Sequence, residues 1–175
     1  MPTHKSVRPL LLLSLFAALT LVLTACPTPA PPKADAGGEA ELAADFELPD
    51  LNGNMVRLSD THGKVRLLDF WATFCAPCIA EMPFHNELQE KYGDQGFMII
   101  GIAGDEEGEA VVRPLVEKQN LVYLNLLDTD GTVADDYRVL GIPAYVLLDA
   151  EGKIVDRWMA AKPHDKLEQQ IVDML

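Results

Sequence analysis

The chain has 175 residues, a formal net charge of −13 at pH 7, three cysteines and four histidines. That acidity argues against a surface built to bind nucleic acid or anionic lipid. The length allows one domain with a sizeable core, and no internal repeat divides it.

The elements begin with a segment that does not belong to that core. Lys5 and Arg8 precede a run from Leu10 to Leu23 that is apolar apart from Ser14 and Thr20. A basic flank, a short apolar stretch and small residues at its end have the pattern of a secretory signal, too short for a comfortable membrane span. The run closes in Leu23-Thr24-Ala25-Cys26, which resembles the lipobox of bacterial lipoproteins. The resemblance implies that residues 1–25 are a lipoprotein signal peptide and that Cys26 becomes the acylated first residue. An ordinary cleaved signal with an incidental cysteine, or an uncleaved anchor, are the alternatives. Residues 26–43, rich in Pro, Ala and Gly, then read as the lipidated cysteine and a tether with little to bury. The expected location is the bacterial cell envelope, lipid-anchored to a membrane and facing the periplasm or the cell exterior. Loss of residues 1–25 removes two basic residues and no acid, which takes the net charge to −15.

The folded part occupies 44–175. Phe46 to Leu58, with Asn52-Gly53-Asn54 at its turn, predicts an N-terminal hairpin. Val65 to Trp71, broken only by Arg66 and Asp69, predicts a central strand, and Ala76 to Tyr92 a helix with Pro77 in its first turn. Phe97 to Ala103 predicts a second buried strand. Glu107 to Asn120 has helical spacing, with Pro114 as a bend and Pro83 as a kink in the helix before it. Tyr123 to Leu127 is a short strand and Thr132 to Tyr137 a short helix. Ala144 to Asp149 and Lys153 to Trp158 flank the turn Ala150-Glu151-Gly152 as an antiparallel pair, and His164 to Met174 closes the chain as a helix. This order predicts an α/β fold with a mixed sheet covered on both faces.

Cys75-Ala76-Pro77-Cys78 falls where the central strand gives way to a helix. A helix N-terminus carries partial positive charge and favours a thiolate over a thiol, and only the thiolate attacks a disulfide. A purely structural disulfide is the plainer alternative, but so short a loop removes little unfolded-state entropy. Zinc or an iron–sulfur cluster would need about two further ligands, and none accompany the pair. Ile79 follows Cys78, so the haem-attachment signal is absent. Redox chemistry remains, with no metal and no cofactor beyond the redox-active Cys75–Cys78 disulfide.

These elements carry a resemblance. Asp45-Phe46-x-Leu48-Pro49-Asp50-x-x-Gly53, Leu58-Ser59-Asp60-x-x-Gly63-Lys64, Phe70-Trp71-Ala72-Thr73-x-Cys75-x-Pro77-Cys78, Tyr137-x-Val139-x-Gly141-Ile142-Pro143 and Leu148-Asp149-x-x-Gly152-Lys153 occur in order. Together they resemble the TlpA/ResA-like, membrane-tethered thiol–disulfide oxidoreductases of the thioredoxin superfamily. The resemblance implies a thioredoxin fold with an N-terminal β-hairpin and an inserted βα element.

Roles follow for named residues. Cys75, nearer the exposed tip, is expected to attack, and Cys78, one turn inward, to resolve the mixed disulfide. Pro77 and Ala76 tune how readily the pair is reduced. A carboxylate inside an apolar strand is costly if ionised and unpaired. Asp69, six residues before Cys75 as in thioredoxin, is therefore assigned as proton acceptor for Cys78, against the alternative of an outward-facing, solvated Asp. Glu81, three residues after Cys78, resembles an acid that influences the cysteines in ResA-like proteins, against a solvated helix Glu. Pro143 and Ile142 resemble the cis-proline loop that offers backbone groups to an extended substrate. Phe74 stands where most relatives have Trp, and Ala144 where many have Thr; both lie beside the expected substrate groove. Trp71 is expected to pack beneath the site, and His62, His85 and His164 to be surface groups.

Three functions fit to different degrees. A reductase of protein disulfides leads. The family implies apocytochrome c or copper-site cysteines as substrates, with electrons from a membrane thiol–disulfide donor. The oxidase direction uses the same residues. A tethered Cu(I) carrier would use both cysteines as soft ligands, but relatives of that kind space them more widely and add a histidine. A thiol peroxidase would place Thr three residues before its cysteine, whereas Thr73 is two before Cys75.

Overall fold

Seven consecutive buried residues, Val65–Trp71, form the strand around which the rest is arranged. In the computed structural model, which describes residues 41–175, the chain runs β1 (Glu47–Pro49), β2 (Met55–Arg57), β3 (Val65–Trp71), α1 (Ala76–Tyr92), β4 (Phe97–Ala103), α2 (Glu109–Gln119), β5 (Leu124–Leu127), α3 (Thr132–Asp136), β6 (Ala144–Leu148), β7 (Ile154–Met159) and α4 (His164–Val172). The expected signal peptide 1–25, Cys26 and residues 26–40 of the tether lie outside the described residues. Among the described residues no helix is long and apolar enough to cross a membrane.

Five strands form one sheet in the order β5-β4-β3-β6-β7, and β1 and β2 form a separate antiparallel hairpin. The β3–β4 and β4–β5 pairs are parallel, whereas β3–β6 and β6–β7 are antiparallel. Parallel neighbours need a crossover, and α1 and α2 supply the two. Burial on both faces explains why β3, β4 and β6 read as continuous apolar runs rather than alternating ones.

The two faces carry separate cores. Leu68, Phe70, Ile100, Ile102 and Val146 point to one side, where the hairpin's Phe46 and Leu48 and the α3 segment's Val133 and Tyr137 cover them. On the other side Leu67, Ile99 and Leu147 meet Leu88 and Tyr92 of α1 and Leu167 and Ile171 of α4. Nearer the start of α1, Trp71, Ala103 and Leu127 pack with Cys75, Cys78, Met82 and Val112 of α2. Helix α1 buries Cys78, Met82, His85, Leu88 and Tyr92, a stripe at three- and four-residue spacing that faces the sheet. It continues through Pro83.

One row crosses the whole sheet between those last two clusters. The pairings Trp158–Tyr145, Tyr145–Asp69, Asp69–Gly101 and Gly101–Asn125 run from β7 to β5 on the α1 side. Gly101 is required by crowding. A Cβ there would come within 2.9 Å of Trp71 Nε1 and would also collide with Asn125 Oδ1.

Candidate active site

The site is built where β3 ends. Ala72 is buried, and its carbonyl accepts the N–H of Cys75 at 3.0 Å, turning the chain out of the sheet. Cys75 is the N-cap of α1 and Pro77 lies in its first turn, where a missing N–H removes no helical hydrogen bond. Asp105, just beyond β4, accepts hydrogen bonds from the Thr73 N–H at 3.0 and 3.1 Å and from its hydroxyl at 2.5 Å. The turn is thus fixed from both sides.

Cys75 and Cys78 are joined as a disulfide, with Cα atoms 5.3 Å apart. The Cys78 N–H donates to Cys75 Sγ at 3.2 Å, so the sulfur occupies the place of an N-capping oxygen. A negative charge on that sulfur is favoured by the hydrogen bond and by the helix N-terminus together. Cys75 keeps 6% of its surface exposed and Cys78 2%. The order agrees with an outer attacking and an inner resolving sulfur, but neither stands at an exposed tip. Packing against the Trp71 cluster recesses both, and exposure falls instead on Phe74 (78%), Ala76 and Pro77.

The Ile142–Pro143 peptide bond is cis. Pro143 is buried, and its carbonyl accepts the Ala160 N–H at 3.0 Å, which ties the loop to the end of β7. Half-buried Ile142 packs against the cluster that contains both cysteines, so the loop and the dithiol share one patch. Trp71 is 1% exposed within that cluster.

Asp69 is buried, and its Oδ2 lies 3.1 Å from Nδ1 of His85. The expectation that His85 is a surface group is wrong. It is 1% exposed, because the stripe that buries Cys78, Met82 and Leu88 passes through it. That spacing was the available signal. Tyr145 and Tyr123 flank the imidazole edge-on, with ring centroids 5.6 and 6.3 Å away. Burial, with the Asp69 charge second, pushes both phenols far above the ordinary tyrosine range. Glu81 meets His164 of α4, Oε2 to Nε2, at 3.2 Å, and the His164 ring stacks on Phe84 at 3.7 Å. His62 is exposed. Among the described residues no group of three His, Cys, Asp or Glu side chains converges as a metal site.

Three further contributors carry no local signal in the sequence. Asp105 lies 32 residues from Thr73 in sequence, and nothing local announces their contact. Leu140 (89% exposed) and Met159 (59%) line a groove of about 260 Å³ bounded by β6 and β7. Large apolar side chains left in water beside such a groove are a mark of binding surfaces.

A disulfide that caps a helix at the end of a central strand, over a sheet of this order, defines the thioredoxin class of redox proteins. Residues 40–157 match the AhpC/TSA family. The thiol–disulfide oxidoreductase ResA of Bacillus thuringiensis subsp. konkukian is 33% identical over 129 residues, covering 74% of each chain. The thioredoxin-like protein YneN of Bacillus subtilis is 35% identical over 134 residues, 76% of this chain and 78% of its own. A Chlorobium tepidum structure assigned as the thiol:disulfide interchange protein DsbE superposes with a TM-score of 0.72 at 34% identity, covering 77% of this chain and 96% of that one. The chain belongs to the AhpC/TSA family, among the ResA- and YneN-type thiol–disulfide oxidoreductases of the thioredoxin superfamily.

Proposed function

We propose that this oxidoreductase works as a reductase of protein disulfides outside the cytoplasm, held at a membrane by lipid on Cys26. The observation that carries the chemistry is the Cys78 N–H donated to Cys75 Sγ at the head of α1. In the reduced protein that donor favours the Cys75 thiolate. The thiolate attacks a substrate disulfide, and one substrate sulfur leaves as a thiol while the other stays bonded to Cys75. Cys78, giving its proton to Asp69, attacks Cys75 Sγ, and the Cys75–substrate bond breaks. Two electrons pass from the dithiol to the substrate, which departs reduced. Phe74, Pro77, Ile142 and Pro143 form the substrate surface, and the exposure of Phe74 supports that role. Glu81, paired with His164, acts on the dithiol only through the field it sets along α1.

The preferred substrates are cysteine pairs of apocytochrome c or of copper-site proteins, and the electrons come from a membrane thiol–disulfide donor. Asp69 and Pro77, which resemble thioredoxin more than strong oxidants, favour this direction over the reverse. The sequence supports division into a signal peptide (1–25), an acylated tether (26–43) and the thioredoxin-like domain (44–175). The test is trapping in the native host. With Cys78→Ala the partner stays on Cys75 as a mixed disulfide, recovered in the membrane fraction and released by reductant. Recovery of no disulfide-linked partner, together with failure of the purified dithiol to reduce insulin, overturns the reading.

A further inference from the structure

Unpartnered buried polar atoms gather in one layer of this protein. Six side chains, Asp69 (Oδ1), Trp71 (Nε1), Tyr123 (Oη), Asn125 (Oδ1), Tyr145 (Oη) and Trp158 (Nε1), supply all but one of those found among the described residues. The layer crosses the sheet on the side of α1, with Asp69 at its centre. The His85–Asp69 pair lies inside it, with one carboxylate oxygen engaged by the imidazole and the other open. Buried polar atoms are normally satisfied, so a concentration of open ones around a titratable pair points to a job other than stability.

We propose that His85 is the proton-sharing partner of Asp69, and that the pair rather than the carboxylate alone takes up the Cys78 proton in the resolving step. The inference rests on the dithiol reading above. Cys78 and His85 lie two turns apart on the buried stripe of α1, with Met82 between them. Trp71, two residues beyond Asp69 on the same face of β3, packs in the cluster that holds Cys78 and Met82. The pair and the inner sulfur therefore lie on the same side of the sheet, along one helix stripe, with Met82 and Trp71 packed between them.

Its other neighbours leave the proton to the pair. Gly101 of β4 and Asn125 of β5 do not titrate. Tyr123, before β5, and Tyr145 of β6 stay protonated because burial and the Asp69 charge both oppose their ionisation. On α1, Glu81 is engaged by His164 of α4. Beyond Trp158 of β7, Lys162 covers the indole and bonds Asp156. A buried carboxylate hydrogen-bonded to an imidazole carries one negative charge when the two share one proton and none when they hold two. Taking the thiol proton thus removes charge from an apolar layer as the thiolate forms.

The step balances. The Cys78 thiol gives its proton to the pair, and its sulfur attacks Cys75 Sγ. The Cys75–Cys78 bond forms as the Cys75–substrate bond breaks, and the departing substrate sulfur takes the electron pair and then a proton. His85 acts through Asp69 and is a positioning residue.

The test uses the reduced protein and 5,5′-dithiobis(2-nitrobenzoate) as the probe disulfide. The first release of nitrothiobenzoate reports Cys75 and is the internal reference; the second reports attack by Cys78. With the pair intact, the second phase relative to the first stays nearly flat as pH falls. In His85→Asn it is expected to follow the free thiolate fraction, dropping about tenfold per pH unit below about 8.5. A flat profile in His85→Asn overturns the proposal and leaves the dithiol reading standing. If His85→Asn does not fold, the native chain decides: nitrogen NMR of the His85 imidazole at one fixed pH should show a different proton distribution over its two ring nitrogens in the disulfide and dithiol forms, and identical spectra overturn the proposal. Absence of any second release from the native protein overturns the dithiol reading and this one with it.

Discussion

Asp105 accepts three hydrogen bonds from Thr73, two from the backbone N–H and one from the hydroxyl. The carboxylate is 3% exposed, and the residue it holds stands two places before Cys75. This contact joins the end of β4 to the turn that launches α1.

Removing it leaves the half-buried Thr73 N–H and hydroxyl without their charged partner. Asp105→Ala is expected to destabilise the oxidised protein by about 2–4 kcal/mol, given the worth of charge-assisted bonds and the penalty for unsatisfied groups. Urea unfolding measures this. A change in unfolding free energy of less than about 0.5 kcal/mol, the range of neutral surface changes, would show that the contact holds nothing in place.

Gly101→Ala tests the crowding across the sheet. Trp71 Nε1 would lie 2.9 Å from the new methyl group, and the rigid indole has no room to retreat. Overpacking of this kind costs about 1–3 kcal/mol. Gly141→Ala, which meets nothing within 4 Å, is the control. Equal stability of the two variants would refute the packing argument.

Alkaline stability follows from the tyrosines. Burial raises Tyr123, Tyr137 and Tyr145 in the folded chain. Each unfolded phenol loses its proton near pH 10 while the folded one keeps it, so above that pH the unfolded state binds fewer protons. These phenols therefore leave stability unchanged below about pH 9 and lower it above about pH 10, by up to about 1.4 kcal/mol per pH unit for each phenol. Tyr145→Phe deletes a hydroxyl that has no partner, so it should cost little at pH 7 and make the alkaline decline shallower. Unfolding curves from pH 8 to 11.5 decide; an unchanged slope contradicts the assignment.

Leu140→Glu probes the apolar rim. At 89% exposure the substitution should move stability by less than about 0.5 kcal/mol. Reduction of insulin should slow several-fold while reaction with a small aromatic disulfide keeps its rate. Equal effects on both substrates would remove Leu140 from the binding surface.

Much of this architecture is legible in the sequence. The bounds of β3, α1 and β4 agree with those read from it, because fully buried strands and a proline-started helix carry strong local signals. Helix α2 is shorter than its apolar spacing suggests. Gly108 (φ 60°) and Asn120 (φ 49°) take positive φ at its two ends and stop the helix there. The dithiol and the proline loop were readable as motifs. The burial of His85 is masked, since a polar residue within a helix is ordinarily solvated; only its register with Met82 and Leu88 reveals its orientation. Asp105 and the rim residues Leu140 and Met159 depend on contacts between distant segments, which no local pattern encodes.

The band of hydroxyls, indoles and carboxylate across β7 to β5 splits the oily interior beneath α1 into an upper and a lower compartment, with Leu121 touching both. Lesions in the lower compartment, around Leu88 and Ile171, should lower the melting temperature without altering how the sulfurs exchange electrons. Substitutions there act on the floor of the fold and leave the ceiling that carries the sulfurs as it is.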